Sequence, residues 1–224
     1  GDRNRRLIYL GAVLLMVAAL VLSFSRGALL LGVPAALTVI ILFRGGKRAA
    51  AALFTLLATA LVAFGRHPRL ENLLSRNTGP TFFRLNLWRS TLNMISDHPL
   101  TGVGLDNFLY AYRGRYIAPS AWQDPHLSHA HNWVLDFAAR IGLPGLAVAF
   151  WMLVAFFTTT VRALRAPSDP EFRALAVGLI ASMVDFLAHG MVDASYWFVD
   201  LAFAFMLTVA LAQRLVDQSE PALT

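Results

Sequence analysis

The sequence predicts an all-α, polytopic membrane bundle of about six spans with a long outer loop that carries amphipathic helices. Three observations lead there. Of the 224 residues, 57% are hydrophobic and only 14% charged, too apolar a balance for a single water-soluble core. The apolar residues fall in long blocks, and the strict alternation that a membrane β-barrel requires is absent.

The blocks run Leu7 to Leu22, Ala28 to Phe43, Ala49 to Phe64, Ile141 to Val161, Ala174 to about Met191, and Tyr196 to about Ala212. Each is near the length that crosses a hydrocarbon core. No internal repeat divides them, so residues 1–224 read as one membrane domain with an outer loop from Gly65 to Arg140 inside it. The first span follows the N-terminus almost directly, with neither an initiator methionine nor a cleavage pattern. The chain is therefore expected to be the C-terminal part of a longer protein.

Cysteine is absent, which excludes disulfides and thiolate metal sites. The net charge of +6 comes from 18 arginines and the single lysine Lys47, scattered between hydrophobic blocks. That dispersal argues against nucleic acid and for membrane lipid or phosphate as the anionic partner. With a cytoplasmic N-terminus, Arg3, Arg5, Arg6, Arg44, Lys47, Arg48, Arg162, Arg165, Arg173 and Arg214 all fall inside, as the positive-inside bias expects. Among the short outer turns, only Ser25-Arg26-Gly27 breaks the pattern.

In the outer loop, Leu85, Trp88, Leu92 and Ile95 recur at helical spacing opposite Asn86, Arg89, Ser90, Asn93 and Asp97, which predicts an amphipathic helix at the interface. Arg84 projects to the side of Trp88 and Ile95 and needs an anionic partner or must snorkel; Arg89 projects to the polar side. The glycine-bearing turn from Pro99 to Phe108 suits a close approach of backbone to a ligand. Gly102-Val103-Gly104 lacks the strand and helix context of a nucleotide site.

Ser128 to Gly142 reads as a helix: Ser128 as N-cap, Trp133, Leu135, Phe137 and Ile141 as the apolar side, Gly142 just past the end, and Pro144 preventing simple continuation. His131 then lies in the first turn, where the helix dipole disfavours an imidazolium, leaving a neutral ring that can accept a proton. The bland alternative is a capping or interfacial histidine. His126, His129 and His131 with Asp124 form a weaker alternative as metal ligands, because positions 129 and 131 diverge on a helix but converge in an extended stretch. Trp122, Trp133 and Tyr116 read as an interfacial aromatic belt. Asp185, His189 and Asp193 recur every four residues on one face of the fifth span, with Asp200 opening the sixth from the same side. Ionisable groups there must face the bundle interior or a wet cavity, as a packing lock, an acceptor contact, or a partner for Arg26 or Arg84.

Four motifs carry a family resemblance: Ser25-Arg26-Gly27; Arg84-x3-Trp88 leading into His98-Pro99-Leu100-x-Gly102-Val103-Gly104; His131-Asn132 followed nine residues later by Gly142; and Gly142-Leu143-Pro144-Gly145. With them, from about Leu7 to Phe157, the chain resembles the O-antigen ligase and polymerase family of bacterial envelope glycosyltransferases, which includes the protein O-oligosaccharyltransferases. Members are usually longer, with more spans. The resemblance implies transfer of a glycan from a polyprenyl-diphosphate-linked donor to an acceptor hydroxyl on lipid A core, a growing polysaccharide, or a serine or threonine. It implies a multi-pass protein of the bacterial inner membrane whose active face is periplasmic, with no cofactor and no metal.

The residue chemistry agrees with that implication. Guanidinium groups remain charged and match diphosphate oxygens bidentately, so Arg26 and Arg84 are expected to hold the donor diphosphate, with Arg89 as substitute if the helix is rotated. His131 is expected to act as general base in a single inverting displacement. His129, Asn132, Asp185, His189 and Asp193 are the expected acceptor or supporting contacts. A lipid-linked sugar transporter would be expected to show repeat symmetry, which the chain lacks. A non-catalytic assembly scaffold would leave Arg26 and His131 without a role.

Overall fold

The computed structural model describes residues 2–64, 79–165, 169–193 and 199–219, and no strand occurs among them. The expected start of the last span at Tyr196, the first part of the outer loop (65–78) and the side chain of Asp200 lie outside the described residues. The helices are α1 (Asp2–Leu22), α2 (Val33–Phe64), α3 (Gly79–Asp97), the short α4 (Phe108–Ala111), α5 (Trp133–Arg165), α6 (Pro170–His189) and α7 (Val199–Ser219). A π-helical turn, Ala28–Gly32, leads into α2.

The helical membrane bundle is as expected, but the span count is lower. Among the described residues four helices are long and apolar enough to cross a bilayer, over Arg3–Leu22, Ala28–Thr55, Trp133–Arg165 and Pro170–His189. Two of the six expected spans change for separate reasons. The second and third apolar blocks are helical on either side of a kink, where Gly46 takes φ 72° between the charges of Arg44 and Arg48, and the one span found there, Ala28–Thr55, runs across it. The apolar part of α7, Leu201–Leu215, falls short of the roughly 20 residues a span needs.

α6 is central, packing against α2, α5 and α7. Its Leu179, Ile180 and Met183 join Leu153, Phe156 and Leu164 of α5 and Phe205, Ala212 and Leu215 of α7 in the main core. Trp133 belongs to this core too, 7% exposed and packed on Phe137 and Phe150, rather than to an interfacial belt. α1 leaves Leu10, Leu14, Leu15 and Met16 exposed, a surface that requires a non-aqueous surround. At one end of the bundle Arg5 pairs with Glu171 at 2.9 Å, and Arg44 and Arg173 line a shared cavity. The opposite end of α6 carries His189, so the arginine-rich ends and the histidine-bearing ends separate along the bundle.

The outer segment has its own core of Leu87, Met94, Phe108, Tyr112, Ala130 and Ala139. α3 does not lie with Leu85, Trp88, Leu92 and Ile95 as its buried side. Its inward face is Asn86, Leu87, Ser90, Thr91 and Met94, while Leu92 is 53% exposed. Polar residues can occupy that face because their groups are paired: Asn86 donates to the Phe82 carbonyl, Ser90 to Tyr116 and Thr91 to Leu87. α3 is thus a packed element of the outer segment, docked against α5.

Candidate functional site

The site is assembled at the start of α5. The N-cap there is Asn132, not Ser128: its Oδ1 accepts from the Leu135 amide at 3.1 Å, whereas the Ser128 hydroxyl lies 3.2 Å from His129 Nδ1. His131 therefore precedes the cap instead of occupying the first helical turn, and it takes φ 49°, a left-handed conformation uncommon for a residue with a Cβ. The Asn132 amide also donates to the Met191 carbonyl at 3.2 Å, and the Trp133 amide donates to Gly190 at 2.8 Å. One buried residue so caps α5 and joins it to the chain leaving α6.

Glycines explain why distant motifs meet. Gly102, at φ 65°, lies where a Cβ would overlap the Arg140 carbonyl, and Gly142, at φ 73°, lies where one would overlap the Leu100 carbonyl. The approach is held by backbone bonds from Val103 to Ala139 (2.7 Å), Gly104 to Arg140 (3.0 Å) and Leu143 to Pro99 (2.8 Å). The Pro99–Gly104 turn thus packs against the break in α5 and serves as an internal brace for the helix carrying the site.

Beneath His131 lies an ion pair absent from the expected site. Asp136 and Arg140, 3% and 6% exposed, pair at 3.2 Å. Asp136 also accepts from the Ala130 amide at 2.9 Å. Arg140 donates to the carbonyls of Leu105 and Ser128 and stacks over Phe108. These bonds fix the stretch from Ser128 to His131. The i, i+4 spacing of the two charges is visible in the sequence; their burial is not.

Within that stretch His129 Nε2 lies 3.2 Å from His131 Nδ1, which lies 3.3 Å from Asp193 Oδ1. The other oxygen of Asp193 lies 3.5 Å from His189 Nε2, and that nitrogen lies 3.5 Å from the Ser25 hydroxyl. Burial, with the neighbouring His131, pushes the His129 imidazole down to about 4. The expected face of α6 therefore exists with two changes. The helix ends at His189, so Asp193 stands beyond it, and its carboxylate lies against the rings of His131 and His189. Asp185 sits against Gly32, where any side chain would collide with its carboxylate.

Arg84 reaches the same place from α3. With His131, Asp124, Phe83, Leu87 and Leu127 it lines a cavity of about 360 Å³. Trp88, one turn further on, donates to the Ala130 carbonyl at 2.9 Å, locking α3 against the histidine stretch. Arg89 is exposed and is not among the described residues that line the cavity. Neither is Arg26, which is exposed at the beginning of the helical stretch. It is tied to the cluster through its neighbours, Ser25 bonding His189 and Gly27 packed on the same ring. An apolar cleft of about 400 Å³ follows α5 inward from Phe137 and Ile141 to Leu153, closed on its other side by Ala202, Phe205 and Met206 of α7.

Residues 11–150 match the family model described as O-antigen ligase. The chain belongs to the O-antigen ligase family. Membership implies glycosyltransferase activity of the ligase or polymerase type, in a multi-pass membrane protein acting on lipid-linked glycans. The stretch matching the O-antigen ligase model contains Arg26, Arg84, Arg89, His129, His131 and Asn132, while Asp185, His189 and Asp193 come after it. No curated protein matches the chain.

Proposed function

We propose that this protein transfers a glycan from a polyprenyl-diphosphate donor to an acceptor hydroxyl, with inversion, using His131 as general base. The observation that carries this reading is the shared cavity of Arg84 and His131, with Asp193 behind the imidazole. Nδ1 of His131 faces Asp193 and His129, which leaves Nε2 for the acceptor proton. As the hydroxyl oxygen bonds the anomeric carbon, the bond from that carbon to the diphosphate oxygen breaks and the lipid diphosphate leaves with the electron pair. The proton passes to Nε2, and Asp193 stabilises the imidazolium, the orienting role a carboxylate takes behind a catalytic histidine.

Arg84 offers a fixed cation to the charge growing on the diphosphate, an effect that is large in a water-poor site. Arg26 supplies a second cation from the α2 side, and Arg89, on α3 like Arg84, is the substitute. The apolar cleft beside α5 has the character an isoprenoid chain needs. The histidine-bearing end faces the periplasm on this reading, since the arginine-rich ends lie opposite. Lipid A core, a growing polysaccharide and a protein hydroxyl are all chemically compatible acceptors.

In the purified protein, His131→Ala is expected to abolish transfer while binding of a polyprenyl-diphosphate analogue persists. Undiminished transfer would remove the general-base assignment. Arg84→Ala and Arg26→Ala are expected to weaken analogue binding, and unchanged affinity in both would remove the clamp.

A further inference from the structure

We infer that the cavity between α2 and α6 at the arginine-rich end of the bundle is a binding site for one anionic phospholipid. It measures about 560 Å³, and its walls include Ile40, Phe43 and Arg44 of α2 and Arg173, Val177 and Gly178 of α6. Each helix thus brings one guanidinium group to the same space. Two cations that share a cavity repel one another, and no acidic side chain is among the described residues that line it. The nearest carboxylates along the chain are already engaged. Glu171 accepts from Arg5 with both oxygens, at 2.9 and 3.1 Å, and Asp169 caps α6 by accepting from the Phe172 amide at 2.8 Å. Arg44 has no carboxylate partner among the described residues. Arg173 is oriented from α5 by its bond to the Leu164 carbonyl at 3.3 Å, which leaves the rest of its guanidinium fork for an anion.

The remaining walls follow the layout of a phospholipid. α2 runs towards Arg44 and α6 runs away from Arg173. Ile40 therefore lies about one turn before Arg44, and Val177 about one turn after Arg173, both towards the middle of the bundle. A phosphate held between the arginines directs its acyl chains along Ile40, Val177 and Gly178. Gly178 widens that path, because a Cβ added there would meet nothing within 4 Å. Pro170, at the start of α6, also lines the cavity, so the positive end of the helix dipole favours the phosphate at the same place. A free phosphate ion would use the arginines alone, whereas a lipid uses the arginines and the apolar walls together. Basic pockets between spans hold anionic headgroups by this combination. The site lies at the opposite end of α6 from His189 and takes no group from the proposed base or clamp.

The test is native mass spectrometry of the delipidated, detergent-solubilised protein, titrated separately with phosphatidylglycerol and with phosphatidylethanolamine of the same acyl chains. One phosphatidylglycerol is expected to bind more than about tenfold tighter than phosphatidylethanolamine, since each arginine contributes about fivefold. Arg44→Ala and Arg173→Ala should each weaken that binding by about fivefold. Gly178→Leu fills the acyl path while favouring the helix, and should weaken binding with both charges in place. Lys47→Ala, at the same end but not among the described residues that line the cavity, should leave it unchanged. Inorganic phosphate in excess should not displace the lipid. Equal affinity for the two lipids overturns the site, as does binding indifferent to both arginine changes. Displacement by inorganic phosphate overturns it in favour of a free anion, and a dimer that Arg44→Ala dissociates overturns it in favour of a second copy of the chain. If Arg173→Ala fails to elute as a folded species, Arg44→Ala and Gly178→Leu still decide the result.

Discussion

Gly102 and Arg140 meet backbone to backbone, with the glycine Cα against the arginine carbonyl, while Gly142 meets Leu100 in the same manner. A methyl group at either glycine faces two penalties, a left-handed φ costing about 1–3 kcal/mol and overlap with a hydrogen-bonded peptide. Gly102→Ala and Gly142→Ala are each expected to lower the unfolding midpoint in detergent clearly. Gly114→Ala, at a glycine with open space around it, should change stability by less than about 0.5 kcal/mol. Equal behaviour of all three would show that the brace between the turn and α5 does not form.

Asp136 and Arg140 are each buried, so removing one leaves a charge stranded away from water. Asp136→Asn or Arg140→Ala is expected to cost about 3–5 kcal/mol, read as loss of folded, monodisperse protein. The double change Asp136→Leu with Arg140→Met removes both charges and should be milder than the sum of the single losses. Strict additivity would mean that the pair is solvated, contrary to its burial.

Much of this arrangement was legible in the sequence because it rests on residue type and spacing. The apolar blocks gave the helical membrane bundle. The rest depends on which carbonyl a side chain reaches. Ser128 and Asn132 are both good caps, and only the three-dimensional path shows that Asn132 bonds Leu135 while Ser128 turns to His129. The inward face of α3 was misread because Ser90 and Asn86 are buried through hydrogen bonds that a hydrophobicity pattern does not register. Asp193 was expected on the face of a span. The helix ends at His189, which frees the carboxylate to reach His131.

Asn132 joins two helix ends with one side chain, which separates its substitutions. Asn132→Ala loses the cap and the bond to Met191 and should destabilise by more than the roughly 1 kcal/mol of a cap alone. Asn132→Asp keeps the acceptor for Leu135 but has no donor for Met191, so it should lie between wild type and alanine. Thermal unfolding of the three proteins gives the order; an aspartate variant no better than alanine would deny the capping role.

His129 is held neutral in the folded protein chiefly by its burial, with His131 and Arg140 also opposing its protonation and Asp193 favouring it too weakly to compensate. Its folded value of about 4 lies below the ordinary 6.5, so between those pH values the unfolded chain binds more protons. Its contribution to stability is therefore greatest above about pH 6.5 and falls as pH drops towards 4. An NMR titration should show the His129 ring uncharged at pH 5. Replacement by Gln should flatten the loss of stability across that window, and an unaltered slope would assign it to other groups.

Asp193 touches His131 but lines no part of the Arg84 cavity among the described residues, so it acts as a positioning residue for the proposed base. Asp193→Asn keeps the shape while removing the charge that favours the imidazolium and fixes which nitrogen carries the proton. The expected result is a fall in kcat on the order of 10²-fold or more, with donor-analogue affinity little changed. Asp193→Glu should recover part of the rate, because the longer carboxylate still reaches Nδ1 after a modest shift. A purely structural role would instead lower the amount of folded protein and leave kcat per folded molecule intact. The ratio of kcat to folded protein across Asp193, Asn and Glu therefore discriminates between orienting the base and merely joining two helices.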